Sequence, residues 1–313
     1  MLRPNSGFVP MLLTLGVCGS LCAQEGETPT FRSDTRLVVL HATVVDRKGS
    51  HLTQLQRNAF KIFENGVEQP MKIFRREDIP ISLGLIVDNS GSMRNKRAKV
   101  ESAALKLVKG STRNDEVFIV NFNDEAFLDQ DFTNKMNLLQ QGIARIDSRG
   151  GTAMRDAVRM SIDHIKQGAK REKKVLLVIT DGEDNNSTTT LENLVRAAQQ
   201  SEVLVYAIGL LSEEEKRDAR RAKRGLDAIS TATGGQTYYP RELADVDQIA
   251  EQVARDVRNQ YVLAYSPTEQ VLDGSYRQIK VTVKGPGAPT VRTRSGYYAT
   301  PESSRAPTQA RKS

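Results

Sequence analysis

Between Ile81 and about Arg258 the chain alternates near-continuous apolar runs with amphipathic stretches. The apolar runs are ISLGLIVD, DEVFIVNF, KKVLLVITD and VLVYAIGL. Runs that are apolar at almost every position belong to strands covered on both faces, as in a mostly parallel sheet. The stretches between them are long enough to serve as the helical crossovers that such a sheet needs. After Thr152 the helical period is clearest: Met154, Ala157, Val158, Ser161, Ile162 and Ile165 fall at i, i+3, i+4, i+7, i+8 and i+11, which turns one small or apolar face inward. The pattern predicts an α/β domain over 81–258, with a doubly wound, mostly parallel sheet and helices on both faces.

The flanks have a different period. RLVVLHATVVD, AFKIF and VEQPMKIF are short β-rich runs separated by Lys48-Gly49 and Glu64-Asn65-Gly66, which are hairpin signals. NQYVLAYSP, YRQIKVTVKG and TVRTRSGYYA repeat this near the other end, with turns at Asp273-Gly274 and Gly285-Pro286-Gly287. Neither group has enough strands to cover a hydrophobic face alone. Segments 34–80 and 259–299 are therefore predicted to pair as one small β-sandwich, with the α/β domain inserted between them. At the start, Arg3 precedes an apolar stretch from Phe8 to Ala23 that is broken by Pro10 and Gly16 and followed by Gln24-Glu25-Gly26-Glu27. This reads as an export signal over 1–23 cleaved near Ala23, too short and interrupted to span a membrane. A lipid anchor on Cys18 or Cys22 is the weaker reading, because Val17 and Leu21 precede them where lipidation prefers a small residue. The tail 300–313 has little apolar content and is predicted to be disordered.

Composition adds exclusions. With 313 residues, 38 % hydrophobic and 27 % charged, the chain is neither a fibre nor a polytopic membrane protein. The net charge of +7 is spread through alternating signs and does not by itself mark a nucleic-acid binder. Both cysteines, Cys18 and Cys22, fall in the segment to be removed, so the mature exported chain (periplasmic, envelope-associated or secreted) is expected to have no disulfide, thiolate metal site or cysteine nucleophile.

Candidate chemistry sits at the strand ends. The first strand runs into Asp88-Asn89-Ser90-Gly91-Ser92, a later loop reads Arg149-Gly150-Gly151-Thr152, and the third strong strand ends at Thr180-Asp181-Gly182. In an open α/β sheet the carboxyl ends of the strands share one edge, where ligands bind. Hydroxyls and carboxylates gathered there are hard oxygen donors, suited to Mg²⁺, Mn²⁺ or Ca²⁺ rather than zinc or copper. At these residues the chain resembles the von Willebrand factor type A family and its metal-ion-dependent adhesion site, an Asp-x-Ser-x-Ser motif with a distant Thr and a distant Asp. Asp88, Ser90, Ser92, Thr152 and Asp181 match all five positions, and the resemblance covers roughly Ile81 to Arg258.

The resemblance implies that Ser90 and Ser92 bind the cation directly, Thr152 directly or through water, and Asp88 and Asp181 mainly through water. A cation ringed by neutral hydroxyls keeps much of its charge and attracts an anionic oxygen. The implied partner is a protein presenting an Asp or Glu carboxylate, and the implied activity is binding rather than catalysis. The Phe60 to Asn65 stretch, the run from Gln260 to Tyr265 and the closing Arg294-Ser295-Gly296-Tyr297-Tyr298 look like those of exported acidobacterial-type VWFA-related domain proteins. Similarity to that group and to integrin-type chains implies the same insertion of a metal domain in a β-sandwich.

Two other functions stay open on the sequence: metal-assisted hydrolysis at the same edge, and a structural envelope scaffold with an empty site. His41, His51 and His164 are scattered, and no Ser-His-Asp set is visible; His164 faces away from its helix stripe and reads as solvated. The run EEEKRDARRAKR from Glu213 to Arg224 has acids first and bases last, as suits an exposed helix, with contact between 216–224 and an anionic envelope surface as the minority reading. Glu183, Asp184, Asn185 and Asn186 read as a polar surface loop, with a second cation site or a ligand contact as the other possibilities.

Overall fold

The computed structural model describes residues 36–76, 78–145, 148–211 and 216–301. The export signal with its two cysteines, residues 302–313 of the tail and the acidic start of the EEEKRDARRAKR run lie outside the described residues. In chain order the elements are β1 (Val38–Val45), β2 (Phe60–Glu64), β3 (Val67–Gln69), β4 (Met71–Arg75), β5 (Ile81–Asp88), α1 (Arg97–Lys109), β6 (Glu116–Phe122), β7 (Ala126–Thr133) and α2 (Met136–Ala144). They continue with α3 (Met154–Gly168), β8 (Lys173–Thr180), α4 (Leu191–Ser201), β9 (Leu204–Gly209), α5 (Lys216–Thr233), β10 (Thr237–Tyr238), α6 (Val246–Arg258), β11 (Gln260–Tyr265), β12 (Tyr276–Val283), β13 (Thr290–Arg292) and β14 (Gly296–Tyr298).

The four apolar runs form the middle of a six-stranded sheet in the order β10-β9-β8-β5-β6-β7. All pairings in it are parallel except β6 with β7. Side chains alternate between two cores. Leu83, Leu85 and Val87 of β5 face α1, α2 and α6, whereas Ile86 lies in a second core with α3, α4 and α5. All six stripe residues of α3 are buried. From β5 the chain winds to β6 on one side and later to β8 on the other, so the sheet's winding reverses between β5 and β8, and a crevice opens at their carboxyl ends.

The flanking runs build two four-stranded sheets, β13-β1-β11-β4 and β14-β12-β2-β3, each mixing strands from both ends of the chain. Val38, Leu40, Ala42, Leu263 and Tyr265 of the first share a core with Phe60, Ile62, Ile279 and Val281 of the second. Two expected runs are each divided between the sheets. Pro70 separates β3 from β4 in VEQPMKIF, since proline has no amide to donate to a ladder, and TVRTRSGYYA likewise splits into β13 and β14. The Glu64-Asn65-Gly66 turn has positive φ at Asn65 (48°) and Gly66 (83°), as a two-residue hairpin with the right twist requires.

The sandwich is fastened to the α/β sheet by Asp256 of α6, which accepts hydrogen bonds from His51 (2.5 Å), Tyr238 (2.7 Å) and Arg292 (2.6 Å). At the same junction His41 of β1 has a buried Nδ1 without a hydrogen-bond partner among the described residues. Burial, helped by the charges of Lys173, Arg294 and Lys174, pushes its imidazole down to about 3. Because the folded value lies below the unfolded one, the contribution of this group to stability is complete above pH 6.5 and is lost as pH falls toward 3. One proton taken up on unfolding corresponds to about 1.4 kcal/mol per pH unit. Urea midpoints at pH 7.5 and pH 5 are expected to show the wild type losing about 2 kcal/mol more than His41→Leu over that interval; equal losses would contradict the assignment.

Candidate metal centre

The expected site residues converge at the switch point. Asp88 closes β5. Its Oδ1 accepts the Ser90 amide at 2.8 Å, and its Oδ2 accepts the hydroxyl of Thr180, on the neighbouring β8, at 2.6 Å. The carboxylate is thereby held across the crevice by both strands. Ser90 is extended, and the 3-10 turn Gly91–Asn95 carries the chain back on itself, so the Ser90 and Ser92 hydroxyl oxygens lie 3.0 Å apart. Ser92 donates to Asp181 Oδ1 at 2.8 Å. Asp88, Ser90, Thr152 and Asp181 are buried, while Ser92 is exposed and stands at the mouth.

Thr152 arrives on a loop whose backbone is tied on every side. Gly150 takes φ +75°, and a Cβ there would come within 2.1 Å of Asp124 Oδ2. Its carbonyl accepts the Gly91 amide at 3.2 Å, joining this loop to the Ser90-Ser92 turn. Asp124 Oδ1 accepts the Gly151 amide at 2.7 Å, and Asn185 Oδ1 accepts the Thr152 amide at 2.9 Å. The Thr152 carbonyl in turn accepts the amides of Asn185 and Asn186. Thr152 Oγ1 is 3.9 Å from where a Cβ on Gly182 would stand, so the Thr152 hydroxyl faces the loop that carries Asp181.

Burial pushes the Asp88 carboxyl up to about 6 against the hydrogen bonds from Thr180 and Ser90, and the Asp181 charge adds to the rise. Asp181 presents its second oxygen, Oδ2, to the Lys96 ammonium at 2.5 Å. Two carboxylates near enough for one to raise the other favour a cation beside them. Among the described residues no three His, Cys, Asp or Glu side chains group so as to hold a metal. The set here is of another kind, three hydroxyls with two carboxylates, all oxygen, and its chemistry fits Mg²⁺, Mn²⁺ or Ca²⁺.

Sequence reasoning did not single out Thr180, Lys96, Asn185 or Asp124 as parts of this centre. Thr180 was adjacent to a chosen residue, and Lys96 lies four positions past Ser92, one helical turn along a segment that coils; these spacings are the only signals available. The Glu183–Asn186 loop braces its neighbours. Asp184 accepts from the Arg155 amide (2.6 Å) and guanidinium (2.9 Å) and from Ser187, and Asn186 donates to the Asp124 carbonyl. His164 does not point freely into water as expected. Its ring stacks on Phe132 at 5.0 Å and meets the Phe118 edge at 4.8 Å, and its Nε2 lies 3.0 Å from Asp131. The strand β7, absent from the sequence reading, supplies both Phe132 and Asp131.

The sequence model of the family described as von Willebrand factor type A domain matches residues 83–253. The chain is similar to the uncharacterized protein sll0103 of Synechocystis sp., 24 % identical over 165 residues, or 51 % of this chain and 38 % of that protein. It is also similar to integrin alpha-11 of Mus musculus, 31 % identical over 109 residues, or 33 % of this chain and 9 % of that protein. The chain thus spans well under half the length of either relative. Among solved structures, a von Willebrand factor type A protein from Catenulispora acidiphila has a TM-score of 0.48 at 13 % identity, covering 83 % of this chain and 73 % of that one. With the family model covering more than half of the sequence, the chain belongs to the von Willebrand factor type A domain family.

Proposed function

We propose that this protein is an exported, non-enzymatic binding module whose cation, held by Asp88, Ser90, Ser92, Thr152 and Asp181, captures an Asp or Glu carboxylate of a partner protein. The observation that carries the reading is the hydroxyl chain from Ser90 through Ser92 to Asp181 Oδ1, with Asp88 tied to the Ser90 amide at its start. When bound, a divalent cation supplies a Lewis-acidic position for an anionic oxygen. The protein's own part is to fix the donors. Asp88 is clamped by Thr180 and Ser90, Thr152 is set by Asn185, and exposed Ser92 leaves the approach open. A groove of about 470 Å³ lined by Asn89, Asn123, Phe127, Arg145 and Arg149 adjoins the centre. Phe127 is 48 % exposed, which offers apolar surface beside the charged contact.

What supports binding over hydrolysis is that the two donor carboxylates, Asp88 and Asp181, are not spare bases. Both carboxylates are already committed as acceptors to hydroxyls, an amide and an ammonium. His41 and His51 lie in the sandwich segments, and His164 is packed on Phe132. Among the described residues no helix is long and apolar enough to cross a membrane. The basic face of α5 is partly occupied within the protein: Arg221 reaches Glu183 at 3.3 Å and Lys223 reaches Asp227 at 2.7 Å. A role for 216–224 at an anionic envelope surface is therefore secondary to the cation centre.

Affinity capture from envelope extract tests the reading. Proteins retained in Mg²⁺ by residues 24–313 are expected to be released by EDTA and not retained by Thr152→Ala; an identical set retained under all three conditions would overturn it.

A further inference from the structure

The Lys96 ammonium is part of the same centre although Lys96 is none of the five donor residues. It lies at the junction of the 3-10 turn that carries Ser92 and the first residue of α1. Its Nζ is 2.5 Å from Asp181 Oδ2, with the Asp181 side chain wholly buried and that of Lys96 28 % exposed. The other oxygen of the same carboxylate takes Ser92. Asp181 is thus shared between the donor set and a fixed positive charge that comes from the same turn as the donors.

We propose that Lys96 sets the electrostatic balance of the site, weakening its hold on the divalent cation and strengthening its hold on the partner's carboxylate. The inference rests on the metal-centre reading above and deepens it. Asp88 and Asp181 between them match the charge of one divalent cation. A loaded centre with only these groups would be close to neutral overall and would draw an anion through the local charge of the hydroxyl-ringed cation alone. The ammonium, in contact with one of the two carboxylates, leaves the loaded centre with a net positive charge. The same ammonium repels the incoming cation, because like charges a few ångströms apart in a partly buried site are weakly screened. Lys96 holds Asp181 in place before the cation arrives and leaves an unmatched charge facing the mouth afterwards. The arrangement trades cation affinity for ligand affinity, and a residue that merely buttressed the turn would not act in opposite directions on the two.

The test is a pair of titrations on wild type, Lys96→Met and Lys96→Arg. Mg²⁺ alone is titrated by calorimetry. N-acetylglutamate is then titrated into the Mn²⁺-loaded proteins and followed by the fall in water-proton relaxation as carboxylate displaces bound water. Lys96→Met is expected to bind Mg²⁺ about tenfold more tightly or better and N-acetylglutamate about tenfold more weakly, with Lys96→Arg close to wild type in both. Should Lys96→Met fail to fold, Lys96→Gln, which removes the charge but keeps a polar hydrogen-bond donor, carries the same expectation. A neutral variant that binds Mg²⁺ no more tightly than wild type, or loses both affinities together, overturns the inference. A wild type that binds no Mg²⁺ overturns the metal-centre reading instead.

Discussion

Asp88→Asn is expected to weaken Mg²⁺ binding by at least about a hundredfold, close to 3 kcal/mol, while the EDTA-treated variant melts higher than EDTA-treated wild type. The two effects have one cause. Asp88 is buried at the end of β5 beside a second carboxylate, and burial pushes its carboxyl up to about 6. A group whose folded value is raised contributes stability that is complete below the unfolded value near 4 and lost as pH climbs through 6. At pH 7.5 without a cation the ionised carboxylate therefore costs the fold about 3 kcal/mol. Asparagine removes that cost and keeps the acceptor for the Ser90 amide, and the Thr180 hydroxyl is able to rotate and accept from the new amide. What it cannot replace is the negative charge that a divalent cation requires. A variant that binds Mg²⁺ as wild type does, or that melts lower in EDTA, would contradict this account of the residue.

The second large effect concerns the strand that carries Asp88. Gly84→Ala is expected to destabilise the protein by about 3 kcal/mol, roughly a 10 °C fall in Tm for a chain of this size. A Cβ at Gly84 would stand 2.3 Å from Phe118 Cζ and 2.5 Å from Leu176 Cδ2. Neither neighbour has room to yield. Phe118 and Leu176 are fully buried, and Phe118 is wedged against Phe132 and His164 at 4.9 and 4.8 Å. The glycine lets the Phe118 ring lie over the strand and fill the core between β5 and α3. Trimming the ring in Gly84→Ala/Phe118→Leu is expected to recover part of the loss, because the two residues share one volume. Thermal melts of the three proteins check this, and a single alanine variant within about 2 °C of wild type would contradict it.

Period carried much of the fold in the sequence. β5, β6, β8 and β9 are covered on both faces, so their central positions had to be apolar and polar residues stand mainly at their ends, and the α3 stripe had to be small or apolar because it packs on the sheet. What the period missed has a physical reason. β7 reads AFLDQDFT, and as an antiparallel edge strand with Phe127 and Leu128 exposed it is under no demand for a continuous apolar run. The divisions at Pro70 and between β13 and β14 were hidden because each run has strand composition throughout, and only pairing partners far along the chain assign its halves to different sheets.

The candidate centre was legible where its residues carry characteristic spacing, at Asp88, Ser90 and Ser92, and where a Gly-Gly or a strand end marked Thr152 and Asp181. The supporting contacts were not, since they join residues without a shared motif. Thr180 meets Asp88 across 92 positions and Lys96 meets Asp181 across 85. Asn185, read from sequence as part of a polar loop, turns out to set the Thr152 backbone, a role that follows from where α3 and the β8 loop meet in space.

In the proposed function, five side chains from three loops form one cation site. Anomalous diffraction from a crystal of the protein grown with Mn²⁺ tests it most directly. A single strong peak bounded by the Ser90, Ser92 and Thr152 hydroxyls, with Asp88 and Asp181 beside it, is expected; no peak there, or one elsewhere on the molecule alone, would rule the site out.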